Sequence, residues 1–306
     1  MPKPNTSQRI PIRFYLAQRL GRSHLNFRGK DRLLRILCHP DSVSDFPFEI
    51  NFFGLRYCGN LADYIDWCVF FYGAYSVEEL NVLSKMAACL RSARHRVIYL
   101  DVGVNVGHHL LFMTRHADEC YGIDPLADVL ERAREKLQIN SANAQLFNVG
   151  LGNCDEVKTF FPSTTANHAI GSFVRDWTPG STSAVGYPLQ IRRGSDFLAE
   201  HGIQHSNVVK IDVEGFEAAV LEGLSDVFRQ YRPFILLEMS KNGARELGSR
   251  NDLESCLYER ASIFEFAGQQ LKPYRFDFSR ERVELAIIPE EYAAAFASMP
   301  ELMITP

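Results

Sequence analysis

A chain of 306 residues, 46% hydrophobic and 23% charged, can bury one large core plus an accessory region and is too apolar to be disordered. No run approaches the roughly 18 apolar residues of a bilayer span, and the N-terminus lacks the apolar stretch of a secretory signal, so the chain is expected to stay in the cytoplasm. The net charge of −4 hides an asymmetry: residues 1–40 hold nine Lys/Arg against a single acid, Asp31, and the remainder carries 24 bases and 36 acids. A basic arm of this kind can fold back on its acidic body, which is the simpler expectation, or make peripheral contact with phosphates or an anionic membrane surface. Seven scattered cysteines (38, 58, 68, 89, 120, 154 and 256) form no CxxC, so neither a disulfide framework nor a zinc site is expected.

Residues 1–90 read as that arm followed by a mixed α/β cap. "RLLRIL" predicts a short helix, "FEINFFGLRYCGN" alternates like a strand around Gly54, and "DYIDWCVFFYGAYSVEELNVLSKMAACL" is mostly helical around Gly73. From residue 91 onward a larger domain is expected to run to residue 306. Its apolar segments "VIYLDV", "ECYGID", "AQLFNVGL", "NVVKIDV" and "FILLEM" are mostly followed by helical patterns, which predicts an α/β fold with a mainly parallel sheet covered on both faces. In "LADVLERAREKL" positions 126, 129, 130, 133 and 137 share one helical face, and in "GFEAAVLEGLSDVF" positions 216, 219, 220, 224 and 227 do the same. Residues 162–194, rich in Ser, Thr, Gly and Pro, suit a substrate-side loop or hairpin. "SIFEFAG" and "RVELAIIPEEYAAAFASM" close the domain as strands and a last helix.

The segment "VIYLDVGVNVGHHLLF" leads a strand through a Gly-rich turn into a helix, the arrangement of a nucleotide crevice. A dinucleotide fingerprint needs glycines where Asn105 and His108 stand, so a pyrophosphate cradle is missing. What remains, Asp101-x-Gly103-x-Asn105-x-Gly107, fits S-adenosylmethionine, a nucleoside with an amino-acid arm and no phosphate. Asp101 can accept from the ammonium, directly or through neighbouring backbone or water, and Gly103 and Gly107 let the loop lie against the methionine portion. Asp124, followed by Pro125 and 21 residues beyond Gly103, can accept from the ribose hydroxyls. Val149, Gly150 and Leu151 would border the adenine.

A second motif, "VVKIDVEGFEAAVLEG", sets Lys210, Asp212 and Glu214 at alternate positions. On a strand, period two would send all three to one side, where burial demands mutual pairing or exposure to a crevice.

With "DVGVNVG", "GIDP", "LERAREKLQINSAN", "NVGLGN", "GSF" and above all "KIDVEGFEAAVLEG" in this order over roughly residues 70–240, the chain resembles the FkbM family of S-adenosylmethionine-dependent methyltransferases. The resemblance implies a class I, Rossmann-like methyltransferase fold of seven strands in the order 3-2-1-4-5-7-6. It also implies transfer of a methyl group, usually to a hydroxyl of a sugar or other natural-product acceptor. The family's usual Glu-Pro is Asp124-Pro125 here, a shorter carboxylate for the ribose.

Attack of a hydroxyl on a sulfonium methyl calls for orientation and a base. Asp212 is the first choice and Glu238, closing "FILLEM", the second, with Lys210 and Glu214 beside them. Asp212 and Glu238 can alternatively hold Mg²⁺ and so acidify the acceptor. His168 in the 162–194 loop can meet the acceptor, though a solvated loop histidine is the simpler reading. His108 and His109 are expected to be structural or ligand-lining, and Trp67, Tyr72 and Tyr75 either core or acceptor-lining. N-methylation would lessen the need for a base. A methyltransferase-like binding module, or a nucleotide-dependent oxidoreductase, are the remaining readings. The basic arm carries no base-reading module, so specific nucleic-acid recognition is not expected.

Overall fold

The computed structural model describes residues 11–23, 29–39, 45–162, 171–172, 186–268, 270–277 and 279–299. The N-terminal part builds α1 (Ile12–Gly21), α2 (Lys30–Leu37), the hairpin β1 (Pro47–Phe52) and β2 (Leu55–Asn60), α3 (Tyr64–Tyr72) and α4 (Val77–Ser92). Asp63 caps α3 by accepting from the N–H groups of Ile65 and Asp66. The alternating part follows with β3 (Ile98–Val102), α5 (His108–Met113), β4 (Glu119–Ile123), α6 (Ala127–Ile139), β5 (Ala144–Phe147), β6 (Gly150–Gly152), β7 (Glu156–Pro162), β8 (Gly171–Ser172) and β9 (Tyr187–Arg193). Next come α7 (Gly194–Glu200), β10 (Val208–Ile211), α8 (Glu217–Tyr231), β11 (Phe234–Ser240), α9 (Lys241–Leu247) and α10 (Arg250–Cys256). The chain closes with β12 (Ala261–Ala267), β13 (Gln270–Pro273), β14 (Arg282–Pro289) and α11 (Glu290–Ser298).

The main sheet runs β5-β4-β3-β10-β11-β14-β12-β13. Strands β5 to β11 pair in parallel, and β14 inserts antiparallel between β11 and β12. This is the expected order 3-2-1-4-5-7-6, with one strand more than the seven expected, because β13 folds back on β12 as a hairpin edge.

"AQLFNVGL" is one strand in the sequence pattern but two in the fold. β5 stays in the main sheet, whereas β6 joins a second, four-stranded sheet ordered β6-β9-β7-β8. The break is held by Asn148, whose side-chain amide donates to the carbonyls of Asp124 and Pro125. Residues 187–193 of the expected loop form β9 in that sheet, while 163–170 and 173–185 lie outside the described residues.

Alternation along the strands splits the core. Ile98, Leu100, Val209, Ile211, Ile235 and Leu237 face α8 and α10, and Tyr99, Val208, Phe234 and Leu236 face the α4–α5 side. Every apolar position expected on the two amphipathic helices is buried: Leu126, Val129, Leu130, Ala133 and Leu137 around α6, and Phe216, Ala219, Val220, Leu224 and Val227 around α8. The expected boundary near residue 90 coincides with no gap in the core, since one apolar cluster extends from Phe14 through Trp67 and Leu83 to Phe296. Among the described residues no helix is long and apolar enough to cross a membrane.

A buried carboxylate ties the N-terminal part to α6. Asp66, with no exposed surface, accepts from Tyr57 Oη at 2.7 Å, Asn60 N at 2.8 Å and Arg132 Nη2 at 2.7 Å, with Lys136 Nζ at 3.5 Å. Burial opposes its charge, but Lys136 and Arg132 outweigh that and hold its carboxyl below the usual range. Asp66→Ala is expected to cost about 3–5 kcal/mol at pH 7, because it leaves the buried Lys136 ammonium without its carboxylate, whereas Arg132 keeps Asp63 at 3.1 Å. A carboxyl depressed on folding stabilises above its unfolded pKa and loses that contribution in acid. The difference between variant and parent in urea unfolding should therefore shrink as pH falls below about 4.

Candidate active site

The carboxyl ends of β3, β4, β10 and β11 border a cavity of about 230 Å³, closed on one side by Tyr64, Ile65 and Tyr75 of the N-terminal part. Its position, outside the carboxyl ends of parallel strands where the order reverses, is where open α/β sheets bind ligands. The sequence places the carrying residues there by ending each strand in a turn.

One wall is the glycine turn. Gly103 and Asn105 line it, both at positive φ, 87° and 50°. A Cβ on Gly103 would lie 1.7 Å from the carbonyl oxygen of Asp212, so the turn after β3 touches the turn after β10 and only glycine fits. Gly107 is not part of the cavity wall; its missing side chain makes room for Ala133 of α6, where a Cβ would meet Ala133 Cβ at 2.7 Å. Asp101 also lies outside the wall, fully buried beneath it, with neither carboxylate oxygen hydrogen-bonded. Burial raises its pKa, and the neighbouring Lys210 ammonium opposes the rise.

Asp124, Pro125, Val149, Gly150 and Leu151 line the next stretch of wall. Asp124 accepts from Asn105 N at its Oδ2 and from Leu126 N at its Oδ1, each at 2.9 Å. Each oxygen keeps a second lone pair, so the carboxylate can still accept from a diol. Burial pushes its pKa up to about 7 against the pull of those two N–H groups.

The opposite wall is a charge cluster. β10 ends at Ile211, so Asp212 follows the strand and Glu214 sits in the turn at φ 47°; the strict alternation expected of Lys210, Asp212 and Glu214 stops with the second of them. Lys210, 3% exposed, donates to Asp212 Oδ2 at 2.7 Å. Burial disfavours its charge, but Asp212 and Asp101 outweigh that and raise its pKa. Glu238 Oε1 forms an ion pair with Arg282 Nε at 2.9 Å, and Arg282 Nη2 donates to Glu214 at 3.2 Å. Burial, then the proximity of Asp212 and Glu284, pushes the Glu238 carboxyl far up against the pull of the Arg282 guanidinium. Asp212, Glu214 and Glu238 each offer an oxygen within 4.8 Å of the others. The Arg282 guanidinium already serves two of these three carboxylates, so a cation there would have to compete with it.

Arg282 and Glu79 escaped the sequence reading. Arg282 opens a late antiparallel strand and becomes visible only through the register, which sets β14 against β11 with Arg282 opposite Ser240 and Glu284 opposite Glu238. Glu79 of α4 stands 3.2 Å from His109 on the cavity wall, which pulls its carboxyl down to about 2 in spite of burial. His108 accepts from Tyr75 N at 3.2 Å, and burial holds its pKa well below the usual value, so it lines the cavity as a neutral ring. Trp67 is core, Tyr72 donates to Asp31, and Tyr75 alone of the three expected aromatics reaches the cavity. His168 lies outside the described residues.

A seven-strand core in this order, a glycine turn without a phosphate cradle, a buried acid after the second strand and carboxylates facing the donor crevice define a class I S-adenosylmethionine-dependent methyltransferase domain. The profile of the methyltransferase FkbM domain matches residues 101–266, over half the chain, and the chain belongs to that family. It is 25% identical over 150 residues to the hexuronic acid methyltransferase AglP of Haloferax volcanii, covering 49% of this chain and 59% of that protein. It is 27% identical over 146 residues to methyltransferase 1 of Beauveria bassiana, covering 42% of this chain and 58% of that one. The aligned stretch thus spans under two thirds of each relative. A crystal structure of an FkbM methyltransferase from Methylobacillus flagellatus is 16% identical, with a TM-score of 0.40 over 64% of this chain and 46% of its own.

Asp124→Ala is expected to weaken S-adenosylhomocysteine binding at least tenfold in isothermal titration. With its pKa near 7, the Asp124 carboxylate is lost as pH falls, so affinity should drop about tenfold between pH 8 and pH 6. Asp124→Asn should flatten that dependence.

Proposed function

We propose that the protein transfers a methyl group from S-adenosylmethionine to a hydroxyl oxygen of a sugar or a related natural-product acceptor. The observation that carries this is the Asp212 carboxylate. Lys210 holds it on the wall of the cavity that also contains Asp124, and its backbone touches the donor turn at Gly103. A hydroxyl needs a base at the moment of attack, a need that an amine acceptor has to a lesser degree. The name of the hexuronic acid methyltransferase among the relatives favours a glycosyl acceptor.

When bound, S-adenosylmethionine supplies an electrophilic sulfonium methyl. Asp124 holds the ribose, and Asn105 fixes Asp124. Asp212, the more open of the two candidate bases at 26% side-chain exposure against 9% for Glu238, takes the acceptor proton. Lys210 fixes that carboxylate in position through its hydrogen bond. Glu238, protonated, donates a hydrogen bond that orients the acceptor, and Arg282 orients Glu238. Three carboxylates on the wall also repel a pyrophosphate, which speaks against a dinucleotide. Residues 1–90 act as the acceptor-side cap on the domain at 91–306, through Tyr64, Ile65 and Tyr75.

Asp212→Asn should lower kcat by about 10²–10⁴-fold while leaving the affinity for S-adenosylhomocysteine within about threefold. Uronic-acid glycosides are the first acceptors to assay, and full activity of the variant would overturn the assignment. Because Arg282 already neutralises the acid cluster, EDTA-treated enzyme should keep its rate; a loss restored by Mg²⁺ would transfer the acidifying role to a metal.

A further inference from the structure

Exposed apolar surface is unevenly distributed. Among the described residues eight large hydrophobic side chains are exposed, and six of them lie on α1 and α2: Ile12, Tyr15, Leu16, Leu33, Ile36 and Leu37. Ile12 at 79%, Ile36 at 72% and Leu16 at 61% are solvated well beyond what packing on the body would leave. Both helices are nevertheless docked. Phe14, Ala17 and Leu34 are in the core, Gln18 and Arg22 donate to carbonyls at the end of α3, and Trp67 Nε1 donates to Cys38 O. The fold has therefore chosen which face of each helix to bury and has left an apolar face outside.

The basic residues sit among these same side chains. Arg13 adjoins Ile12, Arg19 lies one turn beyond Tyr15, and Arg32 adjoins Leu33. Among the described residues Arg13, Arg19 and Arg32 have no carboxylate within ion-pair distance; Arg35, held by Asp31, is the exception on these helices. These three guanidinium groups thus have no acidic partner among the described residues, and Arg19 donates instead to Tyr15 Oη at 3.0 and 2.9 Å.

We propose that α1 and α2 form a docking surface for an anionic lipid membrane. Apolar side chains entering the acyl boundary while neighbouring arginines extend to lipid phosphates is the arrangement of an interfacial helix. One layer of structure separates this surface from the active site: α3 contacts both helices through Val69, Phe70, Trp67 and Tyr72, and its first residues, Tyr64 and Ile65, line the cavity.

The test is co-sedimentation of the full-length chain with phosphatidylcholine vesicles, with and without phosphatidylserine, at low and high salt. Binding is expected only with phosphatidylserine and should weaken as salt rises. The double variant Leu16→Asp, Ile36→Asp should reduce binding about tenfold or more. Arg13→Glu with Arg32→Glu should reduce it about fivefold per cation. All these positions are exposed, so circular dichroism and S-adenosylhomocysteine affinity should match the parent and separate a lost surface from a lost fold. Absence of binding to phosphatidylserine vesicles, or binding that the aspartate variant retains, would overturn the proposal. Self-association of the intact chain that the same variant abolishes, without vesicle binding, would assign the face to a second copy and overturn it equally.

Discussion

The site is organised around one buried ammonium. Lys210 lies near the middle of the sheet with almost no exposure, next to Asp101 on β3 and hydrogen-bonded to Asp212. A cation this deep is sustained only by fixed negative partners. It therefore sets the position of Asp212, and through the contact between Asp212 and Gly103 it sets the donor turn as well. The glycine turn after β3 and the carboxylate after β10 are in this way two sides of one close-packed junction between neighbouring strands.

The same sheet face holds more acid than base. Glu79, Asp101, Asp212, Glu238 and Glu284 all act on one another or on Lys210, and Arg282 closes the far side. Burial next to other acids raises Glu238 and brings Glu284 to about 8. Neighbouring carboxyl groups are thereby set apart in acidity by their surroundings. Arg282 matters because its guanidinium, 2.9 Å from Glu238 and 3.2 Å from Glu214, offsets part of the negative charge that these acids bring together.

The N-terminal part joins this arrangement as core rather than as an appendage. Asp66 clamps β2 and α3 to α6, and aromatic packing from Phe14 to Trp67 continues into the sheet. The helices furthest out keep one face for the core and one for the solvent, so the charge asymmetry read along the chain becomes a surface with a direction.

Local signals were sufficient for much of this. Strand and helix order, the two amphipathic helices, the glycine turn and the Lys210-Asp212 pair are encoded within stretches shorter than about 20 residues, where periodicity and turn chemistry act. The helix α1 is the exception: its apolar positions are interrupted by arginines, and its burial depends on α3. Other features needed three dimensions. That Gly107 serves α6 packing, that Asp101 lies beneath the cavity, that Glu214 leaves the strand, and that Arg282 and Glu79 approach from distant elements all depend on contacts between residues far apart in sequence. Residue type and spacing by themselves determined the alternation of strand and helix and a nucleoside crevice without a phosphate cradle, because both follow from local periodicity and turn chemistry, whereas the strand order came with the resemblance to the FkbM family. Which carboxyl is pushed up and which is held down was decided by the tertiary structure alone, because desolvation and the charges that oppose it come from elements that meet only when the sheet closes.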